Sequence, residues 1–479
     1  MNTSRIITTV AATLLSASAL CAEDWPTYRH DNRRSGAASE NLAPPLKQIW
    51  RYDSPSAPVP AWENPAKWNA FAGVKGLAHM RQFDSAFDVT VADGRVFFGS
   101  SADDAAHCLD ASTGKSVWTS YVDGPVRLPP TIAGDKAYFG SDDGLAYCVK
   151  VADGSVVWKR RAAAQERFVP SNGKLISVWP VRTGVLVADG KAYFGGSMLP
   201  WLDSRLCAVD AADGSDSGPG LFATIDARRT MQGAMLASDK HLFVLQGRSG
   251  AIVFSRETGK LSHALAGRGD GGAHAALTAD EQLIYGPGSR TGALAVFDNK
   301  TRKRIKAISG ANRVVVGPQA CYVYKPGRLS SMQLAQQAKT DVRIAVLRDR
   351  QKKLAAKLKG LSKAPEGRKE TPEQATKRKA EIVKLKGQQK EISRQLSELG
   401  KSSNTGKVWS VNCPEAYEII LAGDTLFLGG DGEVSARAAG DGKPLWTGKV
   451  DGKARGLAVA DGRLYVSTDK GGIHCFATK

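Results

Sequence analysis

Short runs in which apolar and polar residues alternate, rich in Val, Phe, Tyr and Ala and bounded by Gly and Asp, recur along this chain. Period-two alternation between such boundaries predicts half-buried β-strands joined by tight turns. One signal repeats as VADGRVFFGS (91–100), IAGDKAYFGS (132–141), VADGKAYFGG (187–196), LAGDTLFLGG (421–430) and VADGRLYVST (459–468). Looser copies are LASDKHLFVL (236–245), LTADEQLIYG (277–286) and VVGPQACYVY (315–324), which makes eight. A second signal places a Gly turn before a Trp strand: DASTGKSVW (110–118), ADGSVVW (152–158), NTGKVW (404–409) and GDGKPLW (440–446), with ETGKLSH (257–263) as a copy lacking Trp.

The TGKS of the first copy has the tail of a phosphate-binding loop. That loop also needs a glycine five residues before Gly114, and the position holds Leu109. The stretch therefore reads as a tight turn in which Gly114 takes a positive φ and Lys115 faces solvent. Setting aside 1–22, 23–45 and 333–402 leaves 364 residues, or about 45 per copy. That length suits a four-stranded propeller blade. The last copy ends at GGIHCFATK (471–479) without a Trp strand, whereas KQIWRYD (47–53) is a Trp strand with no copy before it. Pairing of Ile49–Tyr52 with His474–Phe476 would complete the ring and remove its open edges. The predicted fold is all-β: an eight-bladed β-propeller closed by an N-terminal strand, with an inserted α-helical coiled-coil hairpin.

The organisation follows. Residues 1–22 read as a signal peptide, with an apolar stretch (6–20) and a cut after Ala22. Residues 23–332 and 403–479 are the two parts of the propeller, and 333–402 are the insert. No later run approaches the roughly 18 apolar residues of a membrane-spanning helix, so a periplasmic or extracellular location and a monomer are expected. Cys108, Cys148, Cys207 and Cys475 fall at one recurring strand position, too far apart in a ring to bridge, so buried thiols are expected.

In the insert, positions 344, 347, 351, 354, 358 and 361, and again 382, 385, 389, 392, 396 and 399, form apolar seams with one Gln in each. The stretch SKAPEGRKETP (362–372) turns the chain between them. An antiparallel hairpin would set Leu354 against Leu385 and Gln351 against Gln389. Residues 339–402 carry 19 Lys/Arg against 8 Asp/Glu, the larger part of the protein's net +19. This arm offers a surface to an envelope protein or a polyanionic ligand, or is simply a solvated face. It has no aromatic residue to stack bases, which argues against nucleic acid.

Aligning the copies on their ADG signal places Arg127, Arg182, His274, Tyr417 and Arg455 at equivalent starts of inner strands, with Gln232 and Arg313 close by. Such positions line the mouth of a propeller's channel. Four arginines there could bind an anion or carboxylate, and a mouth that is merely polar and wet is the other reading. One histidine in the set gives no metal cage. The segment WENPAKWNAF (62–71) reads as a loop before the first complete copy.

The D-x-x-T-G-K-x-x-W signal within an eightfold pattern resembles the pyrroloquinoline-quinone-like β-propeller repeat family. The opening DWPTYRHDNRRSG (24–36) is similar to the start of its secreted members. That family includes quinoprotein dehydrogenases and the propeller lipoprotein of the outer-membrane barrel assembly machinery. The quinone enzymes of the family carry an adjacent Cys–Cys pair, a calcium held by Glu, Asn and Asp, and an Asp base. No positions here match those motifs. The resemblance thus implies a non-catalytic binding or scaffolding module of the envelope, with no cofactor, no metal and no catalytic residue. The alternatives are an atypical quinone-dependent dehydrogenase of alcohols or sugars, using pyrroloquinoline quinone (PQQ) with calcium, or a carbohydrate- or polyanion-binding module.

Overall fold

The computed structural model describes residues 23–478 except 63–67, 70–73, 76–82, 172, 200, 217–222, 226–228, 248, 266–270, 289–291, 363–370, 403–405 and 415. The signal-peptide reading and most of 62–71 thus lie outside the described residues. The first repeat folds as four antiparallel strands in chain order, Val89–Ala92, Arg95–Ser100, Ala105–Asp110 and Ser116–Tyr121. Five more four-stranded sheets are built from consecutive strands in the same way. The last copies share one eight-stranded sheet, because the long strand Pro444–Ala460 belongs to both. No sheet closes on itself among the described residues. The strand Lys47–Asp53 pairs antiparallel with Gly472–Ala477, Trp50 lying opposite Cys475. First strands of neighbouring sheets lie side by side: Val89–Ala92 touches both Thr131–Ala133 and Pro444–Ala460.

The repeated turn explains how neighbouring sheets dock. Asp110 Oδ1 accepts the backbone N–H groups of Ser112 (3.1 Å) and Thr113 (2.8 Å), which tightens the turn onto Gly114 at φ 69°. A Cβ on Gly114 would come within 2.5 Å of the Trp50 ring. The indole of one sheet therefore lies flat on the turn glycine of the next, and its Nε1–H donates to Ala111 O at 2.9 Å. The same contact recurs as Trp118 on Gly154, Trp158 on Gly214 and Trp409 on Gly442. In each case the indole N–H bonds a carbonyl of that turn. Only a residue without a side chain lets the ring approach so closely. All six described cysteines are buried free thiols. Burial pushes Cys148, Cys321 and Cys475 up to about 12.

Residues 25–40 run around one end of the assembly, the end carrying the ADG turns. Trp25 exchanges two backbone hydrogen bonds with Val91, and Asn32 Nδ2 donates to Val187 O. The N–H groups of Ile132, Ala237, Leu277, Val316 and Leu421 donate to the carbonyls of Pro26, Asn32, Arg33, Ser35 and Gly36. Gly462 N–H reaches Glu40. The segment thus meets the ends of the first strands in the order in which the copies occur. Those strand ends are edge groups that would otherwise lack partners.

Two helices, Leu334–Ser362 and Pro372–Ser402, form the insert. Leu347, Leu354, Leu385 and Ile392 are buried between them. The Gln351–Gln389 pairing needs correction: Gln351 Nε2 donates to Ser393 Oγ (3.1 Å), and that hydroxyl donates to Gln389 O (2.9 Å). The long amide thus reaches an exposed serine one turn beyond Gln389, while Arg378 to Leu361 O (3.0 Å) keeps the expected pairing of the helices. The first helix is tied to the strand Lys303–Ser309 by Lys303–Asp349 (2.7 Å) and Lys306–Asp341 (3.3 Å).

His474 gives the terminal pairing a pH dependence. Its Nδ1–H donates to Gln48 Oε1 (3.0 Å), while Nε2 accepts Asp451 N–H (3.4 Å). Burial, with the Arg51 charge nearby, holds its pKa down to about 4. Between the unfolded value near 6.5 and about 4 only the unfolded chain takes up the proton, so stability falls as pH drops through that window. Thermal melts at pH 7 and pH 5 should show this loss, and His474→Gln should reduce the difference.

Candidate functional site

At the end opposite the ADG turns, the starts of the first strands bring charged side chains inward. Arg127 Nε donates to Asp142 Oδ2 (2.7 Å), and its Nη1 donates to Asp84 Oδ2 (2.6 Å) and Val59 O (2.8 Å). Arg182 reaches the same carboxylate through Nε (2.7 Å) and Nη2 (2.8 Å). Asp142 is fully buried. Burial alone would raise its pKa, but the two guanidinium charges outweigh burial and hold it below the usual carboxylate range. For Asp84 burial wins over Arg127 and the pKa is raised, and its Oδ1 has no partner among the described residues.

A second cluster gathers around Glu418. Arg29, from the encircling N-terminal segment, pairs with Glu418 and donates to Val314 O at 2.6 Å. Arg313 Nε lies 3.3 Å from the other oxygen of Glu418. His274 Nε2 accepts Val314 N–H at 3.0 Å, which fixes a neutral ring. Its pKa sits well below the ordinary value through burial and the charges of Arg29 and Arg313. Burial first, and then Glu418, raise the Asp88 carboxyl well above its usual range.

Tyr417 and Arg455 meet at the rim, with the guanidinium carbon 4.7 Å from the ring centre and Lys453 Nζ 5.5 Å from it. Gln232 joins Leu245 O through its backbone N–H (2.9 Å), and its Nε2 has no partner among the described residues. Of the seven residues picked from sequence, His274 and Arg313 begin strands, Arg127, Arg182, Gln232 and Tyr417 lie one to four residues before one, and Arg455 lies within the long strand Pro444–Ala460. Arg127 and Arg182 share Asp142, His274 and Arg313 are linked through Val314 and Glu418, and Tyr417 stacks with Arg455. Gln232 stands apart, tied in only by its backbone.

Sequence reasoning missed Tyr28, Arg29, Asp84, Asp88, Asp142 and Glu418. Glu418 was the nearest to view, adjoining Tyr417 in the aligned position. Arg29 and Asp84 lie outside the repeats, so no alignment of copies could find them.

The core of the channel is packed. Ala61, Phe83, Leu128, Ala234 and Ala273 cluster with Tyr28 and Trp62, and Arg182 lies 5.7 Å from the Trp62 ring. The void beside Tyr28, Arg29, Asp88 and Glu418 is about 10 Å³, room for one water. No group of three or more His, Cys, Asp or Glu suited to a metal ion occurs among the described residues.

A family model described as "Outer membrane protein assembly factor BamB", a PQQ-repeat model, matches residues 47–219 and 399–479, more than half of the chain. The chain belongs to the PQQ-like β-propeller repeat family. As a family member it is similar to "1-butanol dehydrogenase (quinone)" of Thauera butanivorans, 26% identical over 217 residues. That match covers 42% of this chain and 33% of the relative, so the chain matches about a third of the relative's length. Quinohemoprotein alcohol dehydrogenase from Comamonas testosteroni has the same fold, with TM-score 0.58, 13% identity and coverage of 95% of this chain and 81% of that one. A europium-containing methanol dehydrogenase gives TM-score 0.57 at 12% identity, covering 95% and 98%. These solved structures show the propeller-type fold alone.

The expectation of a non-catalytic scaffold is overturned by the curated relative, which is a quinone-dependent 1-butanol dehydrogenase. Nor does that relative support the expected lack of a cofactor. The absent Cys–Cys and calcium motifs weighed on a few family features, whereas the similarity extends over 217 residues.

Proposed function

We propose that this propeller is a quinone-dependent dehydrogenase of the alcohol-oxidising type. We further propose that it has eight blades in a closed ring, acts outside the cytoplasm and uses PQQ. The observation that carries the reading is the similarity to the quinone-dependent 1-butanol dehydrogenase.

The donor set at the arginine mouth fits one half of the cofactor requirement. PQQ is an aromatic polycarboxylate, and guanidinium groups suit carboxylates. Arg127 and Arg182 already grip a carboxylate, that of Asp142. The groups that would hold the quinone are those at the rim beside Tyr417, Lys453 and Arg455 by charge, with the Gln232 Nε2, which has no partner among the described residues, by hydrogen bonding. The packed channel confines such a ligand to the mouth. Calcium does not fit: Asp84, Asp142 and Glu418 are each engaged by arginine, and no step is derived through a metal.

When bound, PQQ supplies a two-electron acceptor for the carbon–hydrogen bond of an alcohol. The test is purified protein mixed with PQQ, with and without calcium, and supplied with 1-butanol and an electron-accepting dye. A bound-quinone absorbance with alcohol-dependent dye reduction that does not require calcium is expected. No dye reduction under either condition would overturn the proposal.

A further inference from the structure

The helical insert carries charge that the fold does not use. Its acidic residues are largely matched: Lys357–Glu381 (2.7 Å), Lys377–Glu373 (2.8 Å) and Arg394 with Glu391 (2.7 Å) and Glu398 (2.6 Å). On the second helix Lys379, Lys386 and Lys390 are exposed and have no carboxylate partner among the described residues. Spaced by seven and four residues, they line up along one side of that helix. Arg343, Arg350 and Lys357, spaced by sevens, are likewise exposed along the first helix. Like charges at i,i+4, as at Lys386 and Lys390, destabilise a helix. Such a pattern on a projecting hairpin is relieved by an external anion.

The nature of the surface narrows that anion. On each helix the named cations form a line along one edge of the apolar seam. The large apolar side chains exposed on the described parts of the helices are Val346 and Val383. A bilayer-binding helix instead presents a broad apolar face with Trp, Phe or Leu. The arm has no aromatic residue for nucleobases. Lysine supplies compact point charges on flexible stems, suited to dispersed anionic groups.

We propose that the hairpin binds an acidic polysaccharide, a linear polymer bearing uronate or sulfate groups, along the Lys379–Lys386–Lys390 line. This does not rest on the dehydrogenase reading. The test uses the full-length protein and immobilised heparin, with neutral dextran, anionic phosphatidylglycerol vesicles and duplex DNA as comparison arms. The protein should bind heparin in a salt-sensitive manner and leave dextran unbound. The variant Lys379→Gln/Lys386→Gln/Lys390→Gln should lose at least tenfold in heparin affinity with an unchanged melting temperature. Charge reversal to Glu at the same positions should abolish binding. Unaltered heparin binding by both variants would overturn the proposal, as would binding to vesicles or DNA as tight as to heparin.

Discussion

Arg29→Ala is expected to lower the unfolding free energy by about 3–5 kcal/mol, the range for removing one partner of a buried ion pair. Glu418, buried beside the raised carboxyl of Asp88, would lose its closest cation and keep Arg313 at 3.3 Å. The carbonyl of Val314 would lose its donor as well. The effect should exceed that of an average surface change because Arg29 supplies the charge that the encircling segment brings to the Glu418 cluster. Urea denaturation would measure it. A loss below about 0.5 kcal/mol, the range of surface substitutions, would show that this segment does not lock the channel.

Asp142→Ala should cost at least as much. One carboxylate neutralises two buried guanidinium groups, and its removal leaves Arg182 without the partner of its Nε and Nη2. Arg127 would retain Asp84. The pH dependence has a definite sign. Because the folded pKa of Asp142 is depressed, its contribution is present above the unfolded value near 3.9 and is lost as pH falls through the lower folded value. Asp142→Ala should therefore be markedly less stable than wild type at pH 7 and approach it in acid. Denaturation midpoints at pH 7 and pH 3 that differ equally between the two proteins would contradict this account.

Much of the architecture was legible because it is written in repeated turns. The Gly of DASTGKSVW is needed twice over, for its positive φ and for the Trp50 ring that lies on it. Both demands recur in each full copy, so the pattern survives divergence. The same alignment singled out Arg127 and Arg182, which the fold brings to one carboxylate, Asp142. It could not reach Asp84 and Arg29, which come from segments outside the repeats and meet the strands only in three dimensions. The function was misjudged for a related reason: a missing Cys–Cys pair was given more weight than similarity dispersed over many repeat positions. The helical register was legible too, as Arg378 bonded to Leu361 O and Lys357 paired with Glu381 keep it, but a seam Gln can reach past its opposite to a serine one turn on.

The central claim is that a quinone is held at the arginine-lined mouth. Calorimetric titration of the wild-type protein and of Lys453→Gln/Arg455→Gln with PQQ tests it most directly. Charge-assisted hydrogen bonds contribute about 1.5–3 kcal/mol each, so wild type should bind one equivalent and the variant should bind at least tenfold more weakly with its melting temperature retained. Absence of binding by the wild type, or equal affinity in the two proteins, would contradict the account.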